Sequence, residues 1–511
     1  MGLTAPIVFY TKQAEATHPG QAPGWTARRP GGWVAGSVDG RFDPSCIREG
    51  LVNPMLPRRV LLIAVASSKF WRAVNSSALS MPPIGLLSLG AVLRLHGYQV
   101  KVLDMFLGIP LAQFQRQVRE FDPDVVGVNC FTECYDSAVS VTKKVRELAP
   151  RARIVMGGPH VTFTVEQTFA ECAVDYVVLH EGENTLLELL LHLELPDVIP
   201  AKRVRGLAWR DTDRIVVNEP RPFMTTLTAL PLADLSLVDL SAYKAPFVVV
   251  TSRGCPGNCI YCSARAMWGP RYRGRPAEHV LSEVVVRAKQ TGRRFFTIPD
   301  DTFTADTNRV RRFCRLLIES GLGLGWHCES RADVLTEELL DLMKEAGCEG
   351  VQFGIESASQ DILTSLRKGV SLRRAEELVA HVRALGMNPR CSFMLGHHTD
   401  TPETIRRTVD LALRFWSQYG ASCAVSASTP LPGTYLYENR DQLGITIHAK
   451  RWEEYIFSEP MVSGQGFKVD DVREALFGVM TFLAQKDYET QQARKRQSRT
   501  PDGVTVLGPS A

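Results

Sequence analysis

Three cysteines stand close together in the stretch RGCPGNCIYC, which covers residues 253–262. Cys255, Cys259 and Cys262 have the spacing C-x3-C-x2-C. A chain of 511 residues with 12 cysteines should contain that spacing by chance about 0.007 times if composition is the only constraint. The spacing therefore indicates a metal site.

The number of thiols indicates which metal group the loop holds. Structural zinc normally has four Cys or His ligands, usually in two separated pairs, and no fourth ligand stands near these cysteines in the sequence. Three thiolates suit a 4Fe–4S cluster in which one iron remains open to an external ligand. Gly254 and Gly257 allow the loop to turn tightly, and Pro256 stiffens it. Zinc and an electron-transfer ferredoxin site are the alternatives.

The elements before this loop predict a parallel sheet. From Arg59 to His180, apolar runs of strand length alternate with amphipathic helical stretches, which is typical of a doubly wound domain of Rossmann or flavodoxin type. We assign this domain to residues 59–200. Two β-prone runs around a polar turn predict a hairpin in a linker over residues 201–245. Residues 1–58 are expected to form an irregular extension.

The cysteine loop itself follows the first strand of a second series. Six apolar runs, most of them separated by helical patterns, begin at Pro246 and predict a partial (β/α)6 barrel of TIM type over residues 246–446. The remaining residues, 447–511, are expected to form a helical extension and a polar tail. The fold class is therefore α/β, with two parallel-sheet domains in sequence.

Composition excludes several classes of protein. A formal charge of +4 and a pI near 8.4 are mild for this length and give no reason to expect a nucleic-acid partner. No apolar run approaches the length of a membrane span, and the N-terminus does not resemble a signal peptide, so a cytoplasmic location is expected. The nine cysteines outside the loop show no pairing pattern and are expected to be reduced.

The cysteine loop resembles the hallmark of the radical S-adenosylmethionine (SAM) superfamily, CxxxCxΦC with an aromatic Φ, which is Tyr261 here. The resemblance implies that the amino and carboxylate groups of SAM bind the open iron. It also implies that an electron from the cluster cleaves SAM to a 5′-deoxyadenosyl radical.

Other segments at the C-terminal ends of predicted strands, where βα folds place their chemistry, are similar to the same superfamily. GIESAS (354–359), followed by LRKG (366–369), resembles the segment that contacts the ribose of SAM, and PDDTF (299–303) stands where many members contact its methionine moiety. ESRAD (329–333) offers a guanidinium for the SAM carboxylate. The residues implied for SAM binding are Tyr261, Asp300, Asp301, Arg331, Glu356 and Ser357.

The first domain is similar to the cobalamin-binding domain of B12-dependent radical SAM enzymes. The similarity lies in the segments 82–104, DVVGVNCFT (124–132), VMGGPH (155–160) and HEGENTLLELL (180–190). Glycines in these segments let the backbone approach a large ligand closely. The residues implied for cobalamin binding are Thr132, Gly157, Gly158, Glu181, Gly182 and Glu183.

One feature departs from the classical B12 module. That module carries D-x-H-x-x-G, in which the histidine ligates cobalt, whereas this sequence has Asp104-Met105-Phe106 at the nearest position. Many radical SAM relatives also lack this histidine, so the lower cobalt face would be left to solvent or to another side chain. A flavodoxin-like domain that only packs on the barrel is the alternative interpretation.

The two resemblances together imply a cobalamin-dependent radical SAM methyltransferase. An unactivated carbon or a phosphinate is not a nucleophile, so a radical would abstract hydrogen and methylcobalamin would deliver the methyl group. One SAM would remethylate the cobalamin and a second would start the radical. A small-molecule biosynthetic intermediate is the expected substrate, and a flavodoxin or ferredoxin the expected electron donor. No residue is assigned as a proton donor or acceptor.

Other functions stay open at this point. The same cofactors serve oxidative cyclases and ring-rearranging enzymes, and a cobalamin sensor without catalysis would explain the first domain but not the cysteine loop. A methylthiotransferase is disfavoured because Cys130 and Cys134 are the only close cysteine pair in the first domain and residues 447–511 lack the strand pattern of its RNA-binding barrel. Relatives usually have Gly-x-Pro-x-x-T at the loop that contains His397 and His398, so these histidines depart from the pattern. A solvated loop is expected there, and contact with substrate is the alternative.

Overall fold

The computed structural model describes residues 37–38, 41–42, 58–67 and 81–497. The irregular extension expected over residues 1–58 and the tail after Gln497 therefore lie almost entirely outside the described residues. Strands β1 (Ser37–Val38) and β2 (Arg41–Phe42) pair in antiparallel fashion. The described residues from 58 onwards form one compact unit.

Seven strands form the sheet of the first domain. They are β3 (Arg59–Ala64), β4 (Gln99–Asp104), β5 (Val125–Asn129), β6 (Arg153–Gly157), β7 (Tyr176–Val178), β8 (Leu207–Asp211) and β9 (Arg214–Val217). Their order is β4-β3-β5-β6-β7-β8-β9, and the pairs from β4 to β7 are parallel. The doubly wound parallel sheet expected from the sequence is confirmed.

The hairpin expected in the linker is present, but it belongs to this sheet. Strand β8 pairs in antiparallel fashion with β7, and β9 pairs with β8. The hairpin therefore extends the sheet edge and does not lie between two domains. Its inner residues Leu207 and Ala208 are fully buried, which explains why it packs against the sheet.

Helices cover both faces of this sheet, which is why the central strand β3 reads as an unbroken apolar run. All of its residues after Arg59 are buried. The helices are α1 (Ile84–Leu95), α2 (Leu111–Phe121), α3 (Tyr135–Leu148), α4 (Pro159–Phe163), α5 (Val165–Glu171) and α6 (Gly182–Glu194).

The second domain is built on five parallel strands. A short antiparallel pair, β10 (Ser252–Arg253) and β11 (Arg273–Gly274), comes first. The parallel strands, in spatial and sequence order, are β12 (Phe295–Ile298), β13 (Gly325–Ser330), β14 (Cys348–Glu356), β15 (Asn388–Leu395) and β16 (Ser422–Ala427). A final antiparallel pair is formed by β17 (Thr446–Ile447) and β18 (Val462–Ser463).

The sixth expected strand, FVVVTS (247–252), is present only as an irregular segment beside β12. Val248 forms a single parallel bridge with Thr297, and the Val249 N–H donates to the Thr297 carbonyl at 3.0 Å. The segment leaves the ladder because its last residue, Ser252, pairs with β11 instead. The partial barrel therefore has five regular strands and one irregular edge segment.

Helices follow most of these strands, as a βα series requires. They are α7 (Ala264–Trp268), α8 (Ala277–Thr291), α9 (Thr307–Glu319), α10 (Glu337–Glu345), α11 (Gln360–Ser365), α12 (Leu372–Ala384), α13 (Pro402–Tyr419), α14 (Tyr435–Glu438) and α15 (Val469–Gln497). Within the described ranges, no helix is long and apolar enough to cross a membrane.

A connector of residues 218–246 joins the two domains and is bonded to the first. Its Asp234 accepts a hydrogen bond from Arg94 of α1 at 2.7 Å, and its Leu237 side chain packs directly against Gly90. The Tyr243 hydroxyl donates to the Asp104 carboxylate at 3.0 Å. These contacts hold the connector on the first domain before the chain enters the barrel.

Candidate functional site

The cysteine loop lies between β10 and α7, at the end of the irregular edge segment. Cys255 and Cys259 are half-buried, and Cys262 is exposed at the open side of the loop. Desolvation by surrounding protein atoms raises the pKa of the Cys262 thiol to about 12, and the charges of Cys259, Asp301 and Cys255 add to the rise. The three thiols are thus within electrostatic reach of one another.

The loop geometry depends on its two glycines. Gly254 has a φ of 82°, and a Cβ there would lie 2.5 Å from the Arg271 carbonyl oxygen. A Cβ on Gly257 would lie 2.7 Å from Nη1 of Arg331 and 3.3 Å from Sγ of Cys255. Only glycine fits so close an approach without displacing its neighbours.

Hydrogen-bond donors surround the sulfur atoms. The Gly257 N–H donates to Cys255 Sγ at 3.4 Å, and Arg331 Nη1 donates to Cys259 Sγ at 3.4 Å. The Thr302 hydroxyl lies 3.1 Å from Cys255 Sγ. Thr302 was not foreseen from the sequence, although it stands in the PDDTF segment.

The donor set fits an iron–sulfur cluster better than zinc. In the part of the chain that the structure describes, no three Cys, His, Asp or Glu side chains converge as ligands of a single metal ion would. A 4Fe–4S cluster does not need such convergence, because each thiolate binds a different iron atom. The N–H groups that point at the sulfurs also suit thiolate ligands of a cluster.

The two expected carboxylates differ in availability. Asp300 is buried, and its oxygens accept hydrogen bonds from the Thr251 N–H at 2.8 Å and the Ser252 hydroxyl at 2.6 Å. Asp301 is exposed, and desolvation together with the Asp300 charge raises its pKa to about 6. Asp301 is therefore the better placed of the two for an ammonium group, whereas Asp300 ties the edge segment to β12.

Three charged or polar side chains meet behind the cysteine loop. Lys368 Nζ donates to Glu356 Oε1 at 2.8 Å and to the Tyr261 hydroxyl at 3.1 Å, and that hydroxyl donates to Glu356 at 3.1 Å. Glu356 ends β14 with a φ of 69°, a conformation that is strained for this residue type. Burial and the Glu356 charge raise the pKa of Tyr261 well above its ordinary value. The phenol therefore stays protonated.

The other residues expected at the SAM site are held by protein partners. Ser357 is fully buried, and its hydroxyl lies 3.5 Å from that of Thr408. Arg331 donates to both carboxylate oxygens of Asp333, at 2.9 and 2.8 Å, and to the Lys368 carbonyl at 2.5 Å. The structure thus brings Tyr261, Glu356 and Arg331 to the cysteine loop, while Ser357 lies beneath it.

A large apolar cavity opens at the C-terminal edge of the first sheet. Its volume is about 470 Å³, which is within the range of ligand sites. Five of the six residues expected to bind cobalamin line it: Gly157, Gly158, Glu181, Gly182 and Glu183. Thr132 does not line it, because its hydroxyl is turned towards His160 Nδ1, 3.3 Å away. Arg253 and Trp268 of the second domain complete the wall.

A buried charge network joins the cavity to the cysteine loop. Arg253 donates to Glu181 at 3.0 Å and to Glu183 at 2.5 Å, and Arg273 donates to Glu181 at 2.7 Å. Burial would raise the pKa of Glu183, but the Arg253 charge and hydrogen bond overcome this and lower it. The Arg253 guanidinium also lies over the Trp268 ring at 5.4 Å. Because Arg253 stands two residues before Cys255, the network ties the two candidate sites together.

The segment Asp104-Met105-Phe106, which stands nearest to the position of the cobalt-ligating motif, has a structural role. The Asp104 carboxylate accepts hydrogen bonds from Tyr243 and, at 2.9 Å, from the Phe106 N–H. Burial raises the pKa of Asp104, although both hydrogen bonds oppose the rise. Asp104 and Phe106 both line the cavity, and a phenyl ring cannot ligate a metal. Position 106 therefore offers no side chain that could ligate cobalt.

We expect the substitution Gly158→Ala to lower the free energy of unfolding by about 1–3 kcal/mol. Gly158 has a φ of 110°, and a Cβ there would lie 2.5 Å from Asn129 Oδ1 and 2.7 Å from the Cys130 carbonyl oxygen. Urea denaturation of the apoprotein measures the change. Gly478→Ala is the control, since that position in α15 has open space and should be neutral or slightly stabilising. Equal stabilities of both variants would contradict the argument.

His397 does not lie in the solvated loop that the sequence suggests, whereas His398 beside it is only half-buried. His397 is fully buried. The expectation is wrong because Phe467 and Val472 of the C-terminal extension pack against Gly396 and cover the loop. Burial lowers the pKa of His397, so its ring is neutral.

A second cavity, of about 270 Å³, lies between the connector and the barrel. Connector residues 230–233 form an apolar wall, and Asp300 and Asp301 line the opposite side. This cavity shares Ile84, Gly85, Arg253 and Trp268 with the larger one. The two cavities are therefore neighbours that share part of their walls.

Comparison with known families agrees with this geometry. Residues 72–190 match the B12 binding domain family, and residues 249–412 match the radical SAM superfamily. An uncharacterized methyltransferase of Pyrococcus horikoshii is 31% identical over 425 residues, which cover 82% of this chain and 90% of that protein. An anaerobic magnesium-protoporphyrin IX monomethyl ester cyclase of Cereibacter sphaeroides is 28% identical over 75% of this chain and 64% of its own.

One solved structure shows the same arrangement of domains. The radical SAM methyltransferase TsrM from Kitasatospora setae, with cobalamin and a 4Fe–4S cluster bound, superimposes with a TM-score of 0.65. The match covers 83% of this chain and 89% of that chain at 19% identity. At this identity the likeness establishes the shared fold.

Proposed function

Because the chain belongs to the family of radical SAM methyltransferases that carry a B12-binding domain, we propose that it methylates an unactivated carbon or a phosphinate of a small-molecule biosynthetic intermediate. The observation that carries this proposal is that the two cavities are neighbours with four lining residues in common. The larger cavity lies at the B12-binding sheet, and the smaller one reaches Asp301 beside the cysteine loop. A substrate at their junction would face both cofactors.

The family resemblance and the position of these side chains support the following assignment of the residues that would hold the cofactors. Cys255, Cys259 and Cys262 would ligate a 4Fe–4S cluster, and Asp301 would meet the ammonium group of SAM. The glycines at 157, 158 and 182 would let cobalamin approach the sheet edge. When bound, these groups supply a carbon-centred radical and a transferable methyl group.

The chain's own side chains would position and shield the reactants. Leu230, Pro231 and Leu232 of the connector line the smaller cavity and would exclude water from a reactive substrate. Trp268 lies at the boundary of both cavities. Its ring packs against the Arg253 guanidinium, so it would form one side of the substrate site. Reducing equivalents would come from a flavodoxin or a ferredoxin in the cytoplasm.

Oxidative cyclisation is the second candidate function. The magnesium-protoporphyrin ester cyclase named above aligns with 75% of this chain at 28% identity, which favours cyclisation as the second candidate. The two functions differ in their use of SAM. Methylation consumes one SAM as methyl donor and one as radical source, whereas cyclisation needs no methyl donor.

Anaerobic reconstitution tests the proposal. The protein is loaded with iron, sulfide and hydroxocobalamin, then given SAM and a reductant, and the products are measured by liquid chromatography and mass spectrometry. We expect both 5′-deoxyadenosine and S-adenosylhomocysteine. Deoxyadenosine without S-adenosylhomocysteine would favour cyclisation. Retention of B12 with intact SAM would contradict both enzymatic functions.

A further inference from the structure

We propose that Arg331 raises the reduction potential of the cluster that the three loop cysteines would hold. The inference rests on the proposed function, because it requires that a 4Fe–4S cluster forms at the loop. Arg331 would act through Cys259 and is therefore a positioning residue. It would not be the group that binds the SAM carboxylate.

The contacts of Arg331 leave little of its guanidinium for a ligand. Nε and Nη2 donate to the two oxygens of Asp333, and Nη2 also donates to the Lys368 carbonyl. The remaining nitrogen, Nη1, donates to Cys259 Sγ at 3.4 Å. The side chain is about nine-tenths buried. Every nitrogen of the Arg331 guanidinium thus has a protein partner, and the partner of Nη1 is Cys259, an expected cluster ligand.

The loop is shaped to admit this guanidinium. A Cβ on Gly257 would lie 2.7 Å from Arg331 Nη1 and 3.3 Å from its Cζ. Any other residue at position 257 would push the guanidinium away from Cys259. The glycine in the cysteine motif therefore serves the hydrogen bond as well as the turn.

The sign of the effect follows from electrostatics. Reduction adds one electron to the cluster, and a cation or an N–H···S hydrogen bond stabilises the more negative state. Arginine stays charged in any protein environment. The neighbouring cation Lys368 is paired with Glu356 at 2.8 Å, and Asp333 partly neutralises Arg331. Arg331 is the cation that donates directly to a cluster sulfur among the described residues.

Two variants test the proposal in opposite directions. Arg331→Gln removes the charge and shortens the side chain. We expect its equilibrium constant for reduction to fall at least tenfold, which corresponds to about 59 mV for a one-electron couple. Asp333→Asn removes the compensating charge but keeps an oxygen that can accept from Arg331. The Asp333→Asn variant should shift the midpoint reduction potential of the cluster to more positive values. Redox titration followed by electron paramagnetic resonance, without SAM, measures both midpoints.

The control variant is Arg374→Gln. Arg374 of α12 is ion-paired with Glu337 of α10 at 2.6 Å. Its hydrogen-bond partners among the described residues are Glu337 and Glu377, and neither belongs to the cysteine loop. Its midpoint should equal that of the wild type. Iron content and melting temperature show whether each variant folds and carries a cluster. If Arg331→Gln does not fold, the Asp333→Asn midpoint alone decides.

The outcomes are distinct from those that test the proposed function. A wild-type protein without a 4Fe–4S cluster would defeat the proposed function. A cluster whose midpoint is unchanged in Arg331→Gln, or shifts in the same direction in both variants, would overturn only the role of Arg331. A loss of SAM affinity at an unchanged midpoint would also overturn it, because it would assign Arg331 to the SAM carboxylate.

Discussion

Cys259→Ala protein should contain no catalytically competent cluster and should cleave SAM at least about a thousandfold more slowly than the wild type. The expectation follows from the ligand count, because a cluster that already leaves one iron open cannot retain its site with only two thiolates. The Arg331 guanidinium would also lose its sulfur partner and remain buried beside the loop. Iron and sulfide analysis, with the rate of 5′-deoxyadenosine formation, measures both effects.

Cys423→Ala is the matched control for this variant. Cys423 lies on β16 and is partly buried, and its sulfur donates to the Ala412 carbonyl at 3.3 Å and is hydrogen-bonded with the Cys391 thiol, both away from the cysteine loop. Its loss should leave iron content and SAM cleavage near the wild-type values. Full iron content in Cys259→Ala protein would show that the cluster lies elsewhere.

Glu183→Gln should lower the free energy of unfolding by about 3–5 kcal/mol, because it leaves the Arg253 charge buried with a weakened partner. The glutamate is about one-twentieth exposed, and its distance to Arg253 is 2.5 Å. The variant should also weaken cobalamin binding, since both residues line the larger cavity. Denaturant titration of the apoprotein and spectroscopic titration with hydroxocobalamin measure the two effects.

A surface pair provides the comparison. Arg205 and Glu219 form an ion pair of 3.1 Å in which both side chains are more than half exposed. Glu219→Gln should change stability by about 0–1 kcal/mol. If Glu183→Gln were as mild as Glu219→Gln, the buried network would not contribute to joining the two domains.

The sequence alone predicts the parts of this protein that depend on local pattern. The parallel strands of both domains are visible because strands buried on both faces read as apolar runs. The cysteine loop is visible because its ligands are near in sequence. The segment before it, 247–252, reads as a regular strand in the sequence but is irregular in the structure. The local pattern does not show this, because Ser252 pairs with Gly274 of β11, 22 positions later.

The partners of the site residues could not be predicted in this way. Asp300 and Asp301 are adjacent and identical in type, yet only the folded structure shows that Asp300 is held by Thr251 and Ser252. Lys368 and Thr302 reach the cysteine loop from two other loops that are distant from it in sequence. Such contacts result from tertiary packing. Candidate site residues can therefore be predicted from the sequence, but their hydrogen-bond partners cannot.

The connector has a consequence for how the holoenzyme is assembled. Asp234 and Tyr243 bond it to the first domain through Arg94 and Asp104, so the spacing between the two cofactor sites is set when the polypeptide folds. Neither cobalamin nor the cluster has to bind first in order to bring the two domains together. The apoprotein should therefore accept corrinoid first or iron first and reach the same final state.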